Sequence, residues 1–332
     1  MKVDGEKSID CFVASRNSAK LIFTAGPAAL LPENITGLRP CFGRGDSDYA
    51  GVEESVIKAL RQMSGHVNVV RMQGSASLAL EIMALNFLYG RVLVIQTGYY
   101  SQRLHLLALS AMQRQNEITE VHMTEWERLD NIEGTFDWIF ACYTETSCGL
   151  KLPIQMLRAA SDRLKARLML DATASIGLET QHELADVIGY SSCKGLFGLT
   201  GAAFVAFHEA PTVEVDSFYL NISNHSSKLM TGPYHAIASL HDVLTQHDIF
   251  RETVEANKRA IMNRMNPYLT QPPSRQPFLC THLSCKIVSK DNRAVLYIPR
   301  TEMGGSVICH LGEVHLGREA HGDILSTLEI LE

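Results

Sequence analysis

The chain has 332 residues, of which 46% are hydrophobic and 20% charged, and its formal net charge is −6. This length exceeds the usual size of one domain and predicts a large domain followed by a smaller one. The acidic balance and the lack of a lysine- and arginine-rich block argue against binding to nucleic acid or to an anionic membrane. No apolar run reaches the roughly 18 residues of a membrane span, and the N-terminus lacks the apolar segment of a signal peptide. We therefore expect a cytoplasmic protein.

The eight cysteines are scattered, and none forms a C-x-x-C motif. The one close pair, Cys280 and Cys285, has no matching histidine or cysteine pair at zinc spacing. We expect reduced thiols and no metal site.

Apolar segments predict strands that are covered on both faces, as in a parallel sheet, at 91–97, 136–145, 167–172, 186–191 and 202–208. Apolar residues at helical spacing predict intervening helices at 75–89, 101–115 and 153–165. This alternation predicts a large α/β domain over 1–232 with a mixed, mostly parallel sheet. We expect 233–332 to form a helical connection to about 265 and a small α+β domain, with apolar runs at 294–298 and 306–311 and a final helix near 322–330.

Lys194 is the first residue that suggests chemistry. It follows a predicted strand and is flanked by small residues and glycines, which let the backbone approach another group closely. A partly buried lysine becomes a usable amine nucleophile because burial disfavours its charged form. A surface lysine in a turn is the alternative, and Lys194 alone favours that alternative.

Two further features change this balance. Asp171 ends a strongly apolar strand, where open α/β sheets bind ligands. A carboxylate there suits the ring nitrogen of pyridoxal phosphate (PLP), although a helix N-cap is the alternative. The segment 73–77, Gln-Gly-Ser-Ala-Ser, precedes a predicted helix, and free N–H groups at a helix N-terminus suit a phosphate. Simple capping by Ser75 is the alternative there.

Taken in order, short motifs resemble those of the class V aminotransferases of PLP fold type I, the aspartate-aminotransferase-like fold. They are most similar to the branch that acts on 2-aminoethylphosphonate and pyruvate. The matching segments are Thr24-Ala25-Gly26-Pro27 to T-P-G-P, 73–77 to Q-G-S-G-T, Thr97-Gly98-Tyr99-Tyr100 to N-G-x-Y, Glu145-Thr146-Ser147-Cys148-Gly149 to E-T-T-T-G, 170–177 to V-D-A-M-S-S-F-G, Ser191-Ser192-Cys193-Lys194 to S-S-A-N-K, and Thr231-Gly232-Pro233 to T-P-P.

The resemblance implies a role for each matched residue. Lys194 would hold PLP as a Schiff base, Asp171 would face the pyridine nitrogen, and Tyr100 would stack on the ring. Thr231 would reach the phosphate of a partner subunit, which implies a homodimer with its sites at the interface. The implied reaction moves an amino group between a small amine, such as an amino-phosphonate, and a 2-oxo acid such as pyruvate. Further implied cofactor contacts are Gly74, Ser75, Ala76, Ser77, Thr146, Thr173 and Cys193.

The chain departs from the family where the substrate binds. The family's F-R-I-G arginine, which grips a carboxylate, is missing from Cys309-His310-Leu311-Gly312. A histidine cannot copy the two-pronged grip of a guanidinium. We expect Gly26, His310 and Arg318 at the substrate site. Either Arg318 or Arg300 replaces the missing cation, or the substrate has no α-carboxylate at this position.

Two other functions remain as alternatives. The first is a PLP-dependent lyase that carries out β-elimination, desulfuration or decarboxylation, since this fold hosts all of these reactions. The second is a catalytically lapsed relative that acts as a binding subunit. The retention of both Lys194 and Asp171 argues against the second.

Overall fold

The computed structural model describes residues 5–28, 30–38, 45–300, 302, 304–312, 314 and 325–331. The helices in these ranges are α1 (Gly5–Asn17), α2 (Pro32–Thr36), α3 (Ser47–Ser64), α4 (Ala76–Phe87), α5 (Tyr99–Arg114), α6 (Ile154–Leu164), α7 (Ile222–Ser226), α8 (Tyr234–Thr245) and α9 (His247–Arg264). None of these described helices combines the length and apolarity needed to cross a membrane.

The strands in the same ranges are β1 (Leu21–Phe23), β2 (Asn68–Gln73), β3 (Gly90–Gln96), β4 (Ile118–Glu125), β5 (Trp138–Cys142), β6 (Thr144–Glu145), β7 (Leu150–Lys151), β8 (Arg167–Asp171), β9 (Val187–Ser191), β10 (Ala202–Phe207), β11 (Cys280–Leu283), β12 (Lys286–Ser289), β13 (Ala294–Leu296), β14 (Ser306–Cys309) and β15 (Leu328–Leu331).

A seven-stranded sheet in the order β2-β10-β9-β8-β5-β3-β4 forms the centre of the fold. Strand β10 runs antiparallel to both of its neighbours, whereas the remaining pairs are parallel. Because β2 and β9 are both antiparallel to β10, they run in the same direction. The carboxyl ends of six strands therefore meet at one edge of the sheet, where α/β proteins bind ligands.

The core lies on both faces of this sheet. Every residue of β5 is buried, and its side chains alternate between two apolar clusters: Ile139 faces one, and Trp138 and Phe140 face the other. Helix α4 packs on β9 and β10, α5 packs on β3 and β4, and α6 packs on β8. The predicted α/β fold with a mostly parallel sheet is confirmed.

The structure also confirms the individual elements predicted in the large domain. The predicted strands correspond to β3, to β5 with β6, and to β8, β9 and β10, and the predicted helices correspond to α4, α5 and α6. Helices α8 and α9 occupy the stretch that was expected to be helical up to about residue 265.

The C-terminal residues form two-stranded pairs, β11 with β14 and β12 with β15. The expected final helix near 322–330 is wrong over its last residues, because Leu328–Leu331 is strand β15. Leu328 and Ile330 pack into one apolar cluster, whereas Glu329 pairs with Lys290. This two-residue period is that of a strand.

The N-terminal strand β1 pairs in parallel with β13. A segment assigned to the large domain thus contacts the C-terminal strands, and the division of the chain at residue 232 stays a prediction.

Candidate active site

The residues expected to bind the cofactor lie along the carboxyl edge of the central sheet. Asp171 is the last residue of β8, and Lys194 follows β9 by three residues. Gly74 follows β2, and Tyr100 lies in the first turn of α5, just after β3. Residues far apart in sequence meet here because the parallel strands end at one edge.

The Lys194 side chain is half-buried, and its Nζ lies 5.8 Å from the centre of the Tyr100 ring. Gly26 forms one wall of the space occupied by this lysine. A Cβ at Gly26 would lie 2.9 Å from Lys194 Cγ, and the φ of Gly26 is +123°. Glycine is required where the backbone adopts such a φ and approaches a side chain this closely. A contact between Gly26 and substrate stays a prediction.

The carboxylate of Asp171 is nearly buried at the floor of the site, with 5% of the residue exposed. Its Oδ1 accepts a hydrogen bond from the backbone N–H of Thr173 at 2.9 Å, and its Oδ2 lies 3.7 Å from Nη2 of Arg103. The Thr173 hydroxyl is buried without a hydrogen-bond partner among the described residues. Buried polar groups normally have a partner, so this hydroxyl can bond to a bound polar molecule.

Arg103, which the sequence reasoning missed, joins three parts of the site. Its Nη1 donates to Ser77 Oγ at 3.3 Å, its Nη2 faces Asp171, and its guanidinium carbon lies 5.1 Å from the centre of the Tyr100 ring. Tyr100 and Arg103 are three residues apart on α5 and therefore share one helix face. That spacing was the available signal in the sequence.

The buried Glu145, also missed, fixes the start of α5. Its carboxylate accepts the backbone N–H groups of Tyr100 and Ser101, each at 3.1 Å, and the hydroxyl of Ser147. Burial raises the pKa of Glu145, and these hydrogen bonds oppose that shift. A carboxylate at a helix N-terminus is also favoured by the helix dipole. The adjacent Thr146 is buried in the turn between β6 and β7.

The loop between β2 and α4 presents the groups expected to hold a phosphate. Ser75 is the N-cap residue of α4, and its side chain makes no capping hydrogen bond. Ser75 and Ser77 are exposed, whereas Ala76 is buried. The first N–H groups of a helix have no partner within the helix, so they are available to an anion.

These groups fit PLP. The Lys194 amine can bond to the aldehyde of PLP, and the Asp171 carboxylate can pair with its pyridine nitrogen. The Tyr100 ring can stack on the face of the PLP ring. The start of α4 suits the phosphate. Cys193 is partly buried between Ser192 and Lys194, and its Sγ lies 3.7 Å from the hydroxyl of Ser191.

The other residues expected to bind the substrate are in the C-terminal region of the chain. His310 is fully buried, and its Nε2 lies 3.0 Å from Thr281 Oγ1, inside the C-terminal strands. Its predicted role in substrate binding is untested. Arg318 lies outside the described residues. Arg300 is exposed and reaches Tyr99 and Tyr100.

Thr231 is exposed on a segment that packs against strand β2. The neighbouring Gly232 packs against Arg71, because a Cβ on this glycine would lie 2.9 Å from Arg71 Cζ. Arg71 and Lys228 both pair with the buried Glu53, at 3.4 and 2.7 Å. Burial alone would raise the pKa of Glu53, but the two cations outweigh it and the pKa lies below its usual value. Cavities of about 570 and 250 Å³ adjoin this cluster.

The cysteines form no metal centre in the ranges that the structure covers, where no group of three or more His, Cys, Asp or Glu side chains could hold an ion. Cys280 and Cys309 face each other across β11 and β14 as free thiols.

No protein-family model matches the sequence. Solved structures match its fold over most of its length. The alanine–glyoxylate aminotransferase of Nostoc sp. superposes with a TM-score of 0.76 at 16% identity, covering 92% of this chain and 93% of that one. The PLP-bound phosphoserine aminotransferase of Trichomonas vaginalis gives a TM-score of 0.71 at 17% identity, covering 92% and 98%. The chain therefore has the fold of the PLP fold-type-I aminotransferases.

Curated relatives show which aminotransferases the chain resembles in sequence. The 2-aminoethylphosphonate–pyruvate transaminase of Pseudomonas aeruginosa strain PAO1 is 26% identical over 262 residues, covering 71% of this chain and 70% of that protein. The protein of the same name from Pseudomonas entomophila is 25% identical over 257 residues, covering 70% of each. Together with the fold, these relatives identify the chain as a PLP-dependent transaminase, and it is similar in sequence to 2-aminoethylphosphonate–pyruvate transaminases.

Proposed function

We propose that the chain transfers the amino group of 2-aminoethylphosphonate, or of a related small amino-phosphonate, to a 2-oxo acid such as pyruvate. The observation that carries this proposal is the meeting of the Lys194 amine, the Tyr100 ring and the Asp171–Arg103 pair at one edge of the sheet. The named relatives support the donor and the acceptor. No contact in the described residues favours lyase chemistry over transamination.

Each side chain of the site has its own role in this proposed reaction. PLP, when bound, supplies an electron sink that stabilises negative charge on the substrate carbon. Asp171 holds a proton at the ring nitrogen, and Arg103 sets the orientation of this carboxylate through Nη2. With PLP bound, Lys194 Nζ would take a proton from the substrate carbon that bears the amino group and deliver it to the aldehyde carbon of the cofactor. Tyr100 lies next to this amine and would stack on the cofactor ring.

The phosphate group is proposed to lie at the start of α4. Ser75 and Ser77 offer exposed hydroxyls there, beside the open N–H groups of the first helical turn. Arg103 donates to Ser77, so it adds positive charge to the same corner. Thr173 and Thr146 are buried and are proposed to contact the cofactor.

We further propose that the protein works as a homodimer in which Thr231 reaches the phosphate in the partner's site. An exposed apolar surface supports this arrangement: Phe218 is 68% exposed, Leu229 51% and Tyr219 45%. The Tyr219 hydroxyl donates to the carbonyl of Gln73, so this surface adjoins the phosphate loop. Sedimentation of the holoenzyme should give a dimer, and a fully active monomer would refute this proposal.

The function is tested by incubating the holoenzyme with 2-aminoethylphosphonate and pyruvate. The expected products are phosphonoacetaldehyde and alanine in equal amounts, and Lys194→Ala should form neither. Release of ammonia or phosphate from the amine without pyruvate would favour the lyase alternative. Turnover of other small amines but not of this phosphonate would remove the proposed donor and keep the transaminase.

A further inference from the structure

Arg300 is a cation that the described C-terminal residues bring to the active site. Its guanidinium carbon lies 5.8 Å from the centre of the Tyr99 ring, and the neighbouring hydroxyl groups of Tyr100 and Tyr99 raise the pKa of Arg300. The rings of these two tyrosines are 5.3 Å apart and meet edge to face. Lys194 Nζ lies 5.8 Å from the centre of the Tyr100 ring, so Lys194 and Arg300 both lie beside the same pair of tyrosines.

The two arginines that contact Tyr100 differ in how their charges are balanced. Arg103 faces the carboxylate of Asp171 and also donates to Ser77. Among the described residues, the groups that contact the Arg300 guanidinium are phenols and not carboxylates. No described carboxylate forms an ion pair with Arg300, so its positive charge remains available to an anion.

The position of Arg300 also suits a ligand that enters from solvent. The Arg300 side chain is exposed, whereas Tyr297, three residues earlier, is half-buried and packs against the apolar cluster that contains Val307 and Leu311. Tyr297 therefore anchors this segment in the C-terminal core and leaves Arg300 at the surface beside Tyr99. His310 offers no comparable charge there, because its ring is fully buried and bonded to Thr281.

We propose that Arg300 binds the anionic group of the amine substrate, a phosphonate or a carboxylate, while the amino group reaches Lys194. A guanidinium can bond two oxygens of either anion at once. The chain would thus select small amines whose anionic end and amino end are a few atoms apart. This inference rests on the proposed transamination of an amino-phosphonate and assigns the residue that recognises it.

The test measures binding separately from turnover. Ethylphosphonate, which has the anion but no amino group, is titrated calorimetrically into the holoenzyme, and KM and kcat are measured with 2-aminoethylphosphonate. Arg300→Gln should weaken ethylphosphonate binding and raise KM by about 10- to 100-fold, as expected for lost hydrogen bonds to a charged group. The value of kcat should change by less than about threefold, because the lost contact is made equally before and during the chemical step.

Controls separate recognition from folding. Arg300→Lys should bind ethylphosphonate more tightly than Arg300→Gln, because lysine keeps the positive charge. It should bind less tightly than the wild type, because an ammonium cannot bond two oxygens side by side as a guanidinium does. Arg259→Gln removes an arginine that is 68% exposed on α9 and should leave both constants unchanged. Propionate in place of ethylphosphonate shows whether a carboxylate is bound as well as a phosphonate.

The outcomes distinguish this inference from the proposed function. Unchanged ethylphosphonate affinity and KM in Arg300→Gln, with the amino-phosphonate still turned over, would overturn the role of Arg300 and keep the proposed reaction. Ethylphosphonate binding that depends on Arg300, in an enzyme that does not turn over 2-aminoethylphosphonate, would keep the anion site and overturn the proposed donor.

Discussion

Replacing Gly26 by alanine tests whether the backbone of the 24–27 segment sets the position of Lys194. An added Cβ would lie 2.9 Å from Lys194 Cγ, whereas ordinary contacts are 3.4–4 Å, so the lysine must retreat by about 0.5–1 Å. A misplacement of about 1 Å can cost about 100-fold in rate. We therefore expect kcat of Gly26→Ala to fall by about 10- to 100-fold. The φ of +123° adds a strain of about 1–2 kcal/mol to the folded state.

The assay compares kcat, the free energy of unfolding and the visible absorbance of the bound cofactor in Gly26→Ala and in a matched control. Gly51→Ala is that control, because a Cβ at this position in α3 meets no atom within 4 Å. It should keep full activity and gain about 0.5–1 kcal/mol in stability. If Gly26→Ala had the rate and stability of the wild type, Gly26 would not confine Lys194 and the reasoning would be wrong.

Three further changes have defined expected results. Asp171→Asn should keep the fold but lower kcat by about 100-fold or more, measured by steady-state kinetics beside the exposed control Asp162→Asn, because an amide carries no charge to hold the ring proton. Glu145→Ala should lower the free energy of unfolding by about 3 kcal/mol in denaturant titrations, since it removes the acceptor of the Tyr100 and Ser101 N–H groups; an unchanged stability would contradict that role. Burial lowers the pKa of His66 to about 4 and that of His182 to about 3. Because these folded-state pKa values lie below the unfolded value of about 6.5, the unfolded chain takes up protons first, and stability should fall by about 2 kcal/mol per histidine between pH 7 and pH 5. His182→Gln should reduce the dependence of the free energy of unfolding on pH. An equal slope in the variant and the wild type would contradict the role of His182.

The central sheet could be predicted because its strands are nearly continuous apolar runs. All five residues of Val187–Ser191 are buried, and burial on both faces leaves a pattern that the sequence shows directly. The two residues proposed to bind the cofactor, Asp171 and Lys194, could be selected because they follow such strands. The loop proposed to bind the phosphate could be selected because Ser75 stands at the start of a strongly apolar helix.

Other elements depend on partners that are distant in sequence. Strand Asn68–Gln73 was not predicted, because Arg71 interrupts its apolar run and is buried only through its pairing with Glu53. Strand Ile118–Glu125 lies at the sheet edge and exposes much of its length, so its apolar signal is weak. The last strand, Leu328–Leu331, forms through pairing with Lys286–Ser289, which lies about 40 residues earlier in the chain.

Arg103 and Glu145 could not be predicted as site residues for the same physical reason. Arg103 and Glu145 act through side-chain geometry that becomes visible only when α5 packs beside β6. Helical spacing placed Arg103 on the face of Tyr100, but nothing in the sequence indicated that Asp171 lies opposite. Conversely, His310 aligned with the missing arginine, yet the fold buries it against Thr281.

The role of Lys194 is tested most directly by the visible absorbance of the purified protein with PLP, recorded before and after addition of 2-aminoethylphosphonate and then of pyruvate. We expect a band from cofactor bound to Lys194 that the amine shifts to a shorter wavelength and pyruvate restores. Lys194→Ala should lack this cycle. A wild-type protein that shows no such band after PLP is added would contradict the central claim that Lys194 holds the cofactor.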